Sequence, residues 1–129
     1  MYALDSNTII YFLKGLGRVK ENLLQTSPQE IFIPSIAVLE LEFGAKKSGS
    51  EKKRKQLHEF LDVCSILSFG QEEAKVAAKV KLDLETRGLP IGSHDLLIAA
   101  SALTRRYTLV THNLREFKRI KGLSIEDWF

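Results

Sequence analysis

Short apolar runs alternate with longer amphipathic segments along the chain, and this alternation predicts strands separated by helices. Four runs have the length of buried strands and a fifth fits an edge strand; they are residues 1–4, 31–33, 63–67, 107–111 and 123–125. The predicted helices are residues 9–13, 18–25, 35–47, 51–61, 71–87, 93–105 and 114–120. The alternation favours an α/β fold with a central parallel β-sheet of four to five strands, flanked by helices.

The helix predicted at residues 93–105 differs from the others because it is apolar on nearly every face. Its central turns contain a single polar residue, Ser101. A helix that is apolar all round is usually buried. Ser93 is a suitable N-cap, which places Asp95 in the first turn. A carboxylate at the open end of a buried helix either interacts with the helix dipole or belongs to a site.

A second acid is predicted on the apolar face of the helix 35–47. The apolar positions of this helix include Ile36, Leu39 and Phe43. Glu40 lies four residues after Ile36 and three before Phe43, so it shares their face. The pattern therefore predicts a carboxylate among buried residues.

Further polar side chains occur where a parallel sheet binds its ligands. Asp5 follows the first strand, and Asn113 and Glu116 follow the fourth. Ligands of open parallel sheets bind beyond the carboxyl ends of the strands, near the point where the strand order reverses. These three residues, together with Glu40 and Asp95, are the candidate catalytic residues.

A divalent cation would explain acids in apolar surroundings. Glu40 and Asp95 would be costly there as unpaired charges. No lysine or arginine lies inside the apolar runs to neutralise them. A hard divalent cation would do so, because it takes carboxylates, waters and substrate phosphate oxygens as ligands. Such a centre can activate water and stabilise charge during phosphodiester hydrolysis.

Each of these side chains also has an ordinary structural explanation. Asp5 could be only an N-cap, and Asn113 could be only a helix cap. Asp95 could merely favour the helix dipole, an effect of ~0.3–1 kcal/mol. Glu40 could reach solvent or meet an arginine. Any one acid is weak evidence, whereas the positions in this order are much stronger.

The composition fits one folded domain covering residues 1–129. The net charge of +3 is compatible with an anionic partner but does not demonstrate one. The single cysteine, Cys64, permits no internal disulfide and is expected to pack as a small hydrophobe. No apolar run has the length of a membrane span and no signal peptide is recognisable, so we expect a cytoplasmic protein. His94 and His112 are expected to be exposed loop residues.

Four segments of the chain carry recognisable motifs. Residues 4–7 are similar to Leu-Asp-Thr-Asn, with Ser6 in place of the threonine, and residues 35–45 are similar to a segment ending in Glu-Leu-x-x-Gly-Ala. Residues 88–99 match Gly-x-Pro-Ile-Gly-x-x-Asp-x-x-Ile-Ala, and residues 109–117 resemble a C-terminal signature. Together they resemble the PIN-domain ribonucleases and, more narrowly, the VapC toxins of bacterial toxin–antitoxin pairs.

This resemblance implies a compact PIN-like α/β fold and endonucleolytic cleavage of RNA that depends on Mg²⁺ or Mn²⁺. It also implies a VapB-type antitoxin, whose C-terminal tail blocks the acidic pocket, and a homodimer. The chain is similar in its C-terminal signature to a branch of VapC proteins that cut initiator transfer RNA at the anticodon stem-loop. The resemblance therefore implies this RNA as the target.

The resemblance also assigns roles to the candidate residues. Asp5 and Asp95 would ligate the metal ion, and Glu40 would ligate it or hold its water. Many PIN domains have an aspartate at the position of Asn113. Asparagine brings no charge, and Glu116, one helical turn further on, could supply the missing carboxylate.

The residues leave two other functions open. A small metal-dependent phosphoesterase could use the aspartate after the first strand as a nucleophile, but it would want a second acid two residues on, where Asn7 stands. A non-catalytic RNA-binding protein could use the acids for structure alone. Binding of RNA without cleavage would favour the second of these alternatives.

Overall fold

Five short strands form one parallel sheet in the computed structural model, which describes residues 1–129. The strands are β1 (Tyr2–Leu4), β2 (Ile31–Pro34), β3 (Ser65–Leu67), β4 (Thr108–Val110) and β5 (Ile125–Glu126). Their order across the sheet is β3-β2-β1-β4-β5. The α/β fold with a parallel sheet that the alternation predicts is therefore confirmed, and the possible edge strand is its fifth member.

Seven α-helices connect the strands, all within a few residues of the predicted positions. They are α1 (Ser6–Lys14), α2 (Val19–Leu24), α3 (Ser35–Ser48), α4 (Glu51–Asp62), α5 (Gln71–Thr86), α6 (Ser93–Arg105) and α7 (Leu114–Phe117). The last helix ends earlier than predicted, and the N-cap of α6 is Gly92, not Ser93. None of the helices has the length and apolar character needed to cross a bilayer.

The strand order reverses between β1 and β4. From β1 the chain moves to β2 and β3 on one side, then returns to place β4 and β5 on the other side. The helices α5 and α6 make the return connection from β3 to β4. The reversal point lies beside Asp5, whose backbone N–H donates to the carbonyl of Val110 at 3.1 Å.

The helix α6 is the buried centre of the molecule, as its apolar sequence predicts. Ile98, Ala99, Ala100 and Ala102 are completely inaccessible to solvent. The helix packs against α5, α3 and the sheet. Small alanine side chains allow this close approach, so the first turn of α6 is fixed relative to the strand ends.

The predicted buried face of α3 is wrong in part. Leu39 and Phe43 are 56% and 65% exposed, whereas Ala37 and Leu41 are the buried residues of this helix. Ala37 and Leu41 are four residues apart and so form the row along which α3 packs against its neighbours. Glu40 therefore lies at the edge of the packed face, partly exposed.

The cysteine expectation is confirmed. Cys64 is half-buried and packs against the main hydrophobic core. Burial raises the pKa of its thiol to about 11. A thiol with such a pKa is unreactive at neutral pH.

Candidate active site

Four carboxylates lie near one another beyond the carboxyl ends of β1 and β4. Asp95 is within electrostatic range of Glu116, Asp5 and Glu40, and Asn113 hydrogen-bonds to Glu116. We call this group of side chains the acidic pocket. Burial, followed by the negative charges of Glu116, Asp5 and Glu40, raises the pKa of Asp95 to about 6. The structure therefore brings together all five residues that the sequence marks as candidates.

Asp5 is the most rigidly held of these acids. It is 5% exposed and is the N-cap of α1, accepting a hydrogen bond on Oδ1 from the backbone N–H of Thr8 at 2.9 Å. The side chain of Thr111 also hydrogen-bonds to it. Burial raises the pKa of the Asp5 carboxyl in spite of these bonds. The N-cap explanation of Asp5 is thus confirmed, and the same carboxylate stays a candidate for the site.

Two buried threonines that the sequence pattern does not reveal position Asp5. Thr8 and Thr111 are 2% and 0% exposed. The Thr8 hydroxyl donates to the carbonyl of Val110 at 3.2 Å, which ties α1 to the end of β4. The only signal in the sequence is that Thr8 lies three residues after Asp5, the spacing of an N-cap hydrogen bond.

Asp95 lies in the first turn of α6 as predicted, and no protein group hydrogen-bonds to its carboxylate. Its side chain is half-buried, and no lysine or arginine pairs with it. The positive end of the helix dipole is a modest stabilising influence. A carboxylate that is desolvated and surrounded by other acids is well suited to binding a cation.

Glu40 occupies the rim of the pocket. The hydroxyl of Ser6 donates to its Oε1 at 3.1 Å, and Nδ1 of His94 lies 3.4 Å from its Oε2. Its side chain is 32% exposed. Ser6 therefore positions Glu40 and not Asp5, and the exposed His94 has an acidic partner that the sequence does not predict.

Asn113 and Glu116 act as a pair at the opposite rim. Asn113 takes the N-cap position of α7, but its side chain does not cap the helix. Its amide Nδ2 donates instead to Oε2 of Glu116 at 3.2 Å. The backbone N–H of Asn113 donates to the Thr111 hydroxyl at 3.0 Å. The amide thereby directs the Glu116 carboxylate toward Asp95.

The donor set fits a hard divalent cation bound partly through water. The pocket offers carboxylate oxygens, and the one basic side chain that lies within ion-pair distance of them is the imidazole of His94. No group of three or more His, Cys, Asp or Glu side chains lies close enough together to hold a metal ion by itself. Mg²⁺ does not require one, because it commonly binds through one or two carboxylates and completes its shell with waters and substrate phosphates. Such an ion would be held by one or two of the carboxylates of Asp5, Asp95 and Glu40, with waters and substrate as its other ligands.

Comparison with known proteins identifies the family of the chain. The sequence model of the PIN domain matches residues 2–123. The chain belongs to the PIN-domain family. Within that family its relatives are VapC proteins. The tRNA(fMet)-specific endonuclease VapC of Salmonella typhimurium is 33% identical over 128 residues, which is 98% of this chain and 97% of that protein. Ribonuclease VapC2 of Rickettsia felis is 37% identical over 131 residues, which is 99% of this chain and 98% of that protein.

Solved structures of VapC complexes have the same fold as this PIN domain. VapBC2 from Rickettsia felis, bound to a DNA fragment from its promoter, matches with a TM-score of 0.90 and 36% identity, covering 99% of this chain and 98% of that chain. DNA-bound VapBC from Salmonella typhimurium matches with a TM-score of 0.88 and 32% identity, covering 99% and 98%. The expected PIN-like fold and the VapC relationship are therefore confirmed.

Proposed function

We propose that this chain is the toxin of a VapBC toxin–antitoxin pair and acts as a metal-dependent endoribonuclease. The observation that carries the proposal is the convergence of Asp5, Glu40, Asp95 and Glu116 at the reversal point of a PIN-domain sheet without a lysine or arginine between them. Relatives at 33% and 37% identity are an endonuclease and a ribonuclease.

In this proposal Asp5 and Asp95 hold one divalent ion, Mg²⁺ or Mn²⁺. Asp5 needs no rearrangement, because Thr8 and Thr111 already fix its carboxylate. Asp95 is mainly ionised at neutral pH even though its pKa is raised to about 6. The bound ion supplies Lewis-acid stabilisation of the phosphate charge and lowers the pKa of water.

Glu40 and Glu116 act from the two rims of the pocket. Glu40, held by Ser6, accepts a hydrogen bond from the attacking water and orients it toward phosphorus. Glu116 adds the carboxylate that Asn113 lacks, and the Asn113 amide holds it in place. A new bond forms between the water oxygen and phosphorus as the bond to the 3′ oxygen breaks. The products are a 5′-phosphate and a 3′-hydroxyl.

The substrate and the protein partner are proposed from the relatives. The Salmonella relative is a tRNA(fMet)-specific endonuclease, and initiator transfer RNA is accordingly the proposed target. The matching solved structures are VapBC complexes, so a VapB-type antitoxin is the proposed partner. The homodimer that the resemblance implies stays a prediction, which light scattering on the purified chain would test.

RNA cleavage by purified protein tests the proposed function. Wild type and Asp95→Asn are incubated in parallel with total bacterial RNA in Mg²⁺ or Mn²⁺, with EDTA controls, and new RNA ends are mapped. We expect discrete cuts, with initiator transfer RNA among the targets, only from wild type and only with metal. Equal cleavage by both proteins would contradict the assignment of Asp95.

Two further outcomes would overturn the proposal. Binding of RNA without cleavage under any metal condition would identify a non-catalytic RNA-binding protein. Turnover of a small phosphoester, with intact RNA, would identify a phosphoesterase. A metal titration of wild type and Asp95→Asn by calorimetry accompanies the assay, because it shows whether the acidic pocket binds a divalent ion at all.

A further inference from the structure

Three aromatic rings cluster beside the pocket, outside the set of acids. The rings of His112 and Phe129 are stacked, with centroids 4.4 Å apart and planes inclined by 27°. Tyr11 meets Phe129 and His112 edge to face, with centroids at 4.9 and 5.9 Å. These three centroid separations put Tyr11 on the same side of the His112 ring as Phe129. Tyr11 therefore does not cover the outer face of His112, which is the face turned away from Phe129.

The His112 ring is fixed in place although about half of it faces solvent. Its side chain is 46% exposed. Nδ1 lies 2.9 Å from Oδ2 of Asp127, and Phe129 supports one face of the ring. The backbone N–H of Phe129 donates to Oδ1 of the same aspartate at 2.9 Å. One carboxylate thus sets the orientation of both members of the stack.

The C-terminal segment is anchored at Trp128 and at Phe129. Trp128 is 6% exposed, packs on Tyr2 with centroids 5.1 Å apart and donates from Nε1 to Glu126 at 2.9 Å. The carbonyl of Phe129 accepts from the backbone N–H of Arg18 at 2.8 Å, a bond that needs no aromatic side chain, and one side of its ring lies against Gly17. Phe129 is 44% exposed, and much of its ring area contributes nothing to the core. An exposed, rigid pair of rings is characteristic of a binding surface.

The position of His112 connects the cluster to the acids. The preceding residue, Thr111, hydrogen-bonds to Asp5. The following residue, Asn113, holds Glu116. The backbone of His112 therefore lies between two residues that contact the acids, and RNA bound at the acidic pocket would have the His112 ring within reach.

We infer that the outer face of His112, backed by Phe129, is a stacking platform for one unpaired base of the RNA substrate. This inference rests on the proposed function and deepens it. Proteins that bind single-stranded RNA stack unpaired bases on aromatic side chains, histidine included. Stacking needs a flat ring held in one orientation, and Asp127 with Phe129 provides that. The acidic pocket would hold the metal and phosphate, and the platform would hold the adjacent base.

Binding of an uncut RNA probe tests the platform separately from cleavage. The probe is a fluorescent RNA hairpin with an unpaired loop, and all proteins carry Asp95→Asn so that the probe stays intact. We expect His112→Ala to weaken binding about tenfold, in line with the loss of one stacked base. His112→Phe keeps a flat ring stacked on Phe129 but loses the contact with Asp127, so it should restore part of the affinity.

His58 provides a matched control. It is also a half-exposed histidine, with a 48% exposed side chain and Nε2 at 2.7 Å from Glu42. It has no aromatic ring stacked behind it and lies on α4. His58→Ala should leave RNA binding unchanged. Thermal unfolding of every variant establishes that the fold is intact.

The outcomes separate the platform from the proposed nuclease. Equal affinities of His112→Ala and His58→Ala would overturn the platform, as would failure of His112→Phe to restore binding in a folded protein. If His112→Ala lost binding to an antitoxin peptide but kept its RNA affinity, the cluster would be a protein-binding surface and the stacking platform would be overturned. If His112→Ala weakens binding to the RNA probe while wild type never cuts RNA, the result supports the stacking platform and contradicts the proposed nuclease activity. In cleavage by otherwise unmodified protein, His112→Ala should raise KM more than it lowers kcat.

Discussion

The two sides of the acidic pocket are built in different ways. Asp5 comes directly from the end of a central strand, and it is 5% exposed and held by a backbone N–H and a buried threonine. Glu40 comes from the second turn of a surface helix and is 32% exposed. Its contacts within hydrogen-bonding or ion-pair range are the side chains of Ser6 and His94.

The difference indicates a division of roles. The Asp5 side cannot move without disturbing the sheet, so in the proposed function it would define where the metal and phosphate sit. The Glu40 side can adjust through side-chain rotation, which suits a group that must meet water and RNA. Substitutions on the Asp5 side should therefore abolish cleavage almost completely, whereas substitutions on the Glu40 side should reduce the cleavage rate only in part.

The largest effect is expected for Asp5→Asn. Asparagine has the same shape and still accepts the bond from Thr8, but it removes the charge that holds the ion. Loss of an ionic contact worth several kcal/mol to the transition state predicts a fall in the single-turnover cleavage rate of about 10³-fold. Asp62→Asn, on the exposed end of α4, is the matched control and should cut normally. Normal cleavage by folded Asp5→Asn protein would contradict the assignment.

Glu40→Gln should have an intermediate effect. Glutamine keeps an oxygen for the Ser6 hydroxyl but loses the negative charge at the rim. Groups that orient metal-bound ligands typically contribute 10- to 100-fold, and we expect cleavage to fall by about that factor. Glu42→Gln is the control, because Glu42 lies on the same helix but pairs with His58. Equal rates for the two variants would show that Glu40 has no part in the reaction.

The difference between the Asp5 side and the Glu40 side also explains which features of the site the sequence could predict. Asp5 and Asp95 could be located because a strand end and an apolar helix leave distinct patterns. The same periodicity misplaced Leu39 and Phe43, since which row of α3 packs depends on how α1, α4 and α6 lie against it, which the periodicity of α3 alone does not reveal.

Contacts between distant residues could not be predicted from any local pattern. Thr111 reaches Asp5 only because β4 pairs with β1, and Ser6 reaches Glu40 across 34 residues of sequence. The pairing of His112 with Asp127 likewise depends on β4 lying beside β5. The acids themselves could be found from the sequence, whereas the groups that position them required the fold.

The raised pKa of Asp95 predicts that the stability of the metal-free protein depends on pH. The folded-state pKa, about 6, lies above the ordinary value of 3.8, so the folded protein binds more protons than the unfolded chain between these values. Stability is then lost as the pH rises through this range. In EDTA, wild type should become less stable relative to Asp95→Asn by on the order of 1–2 kcal/mol between about pH 4 and pH 7, after allowance for solvent screening.

Chemical denaturation of both proteins at each pH measures this difference. Asp5 carries a raised pKa of the same sign and is present in both proteins, so only its coupling to Asp95 contributes to the difference. Saturating Mg²⁺ should reverse the trend for wild type, because ion binding requires the ionised carboxylate. A difference between the two proteins that is independent of pH would show that the Asp95 carboxyl is not desolvated as the structure indicates.

The smallest effect is expected for Ser6→Ala, which removes the 3.1 Å hydrogen bond to Glu40. The carboxylates of Asp5 and Glu40 both remain in this variant. A single hydrogen bond of this kind contributes about 0.5–1.5 kcal/mol, so cleavage should slow about two- to tenfold. Ser6→Thr keeps the hydroxyl and should cut at close to the wild-type rate. If the bond acts only by orienting Glu40, Ser6→Ala should have no further effect in a Glu40→Ala background. Additive effects would instead place the Ser6 hydroxyl in contact with the RNA itself.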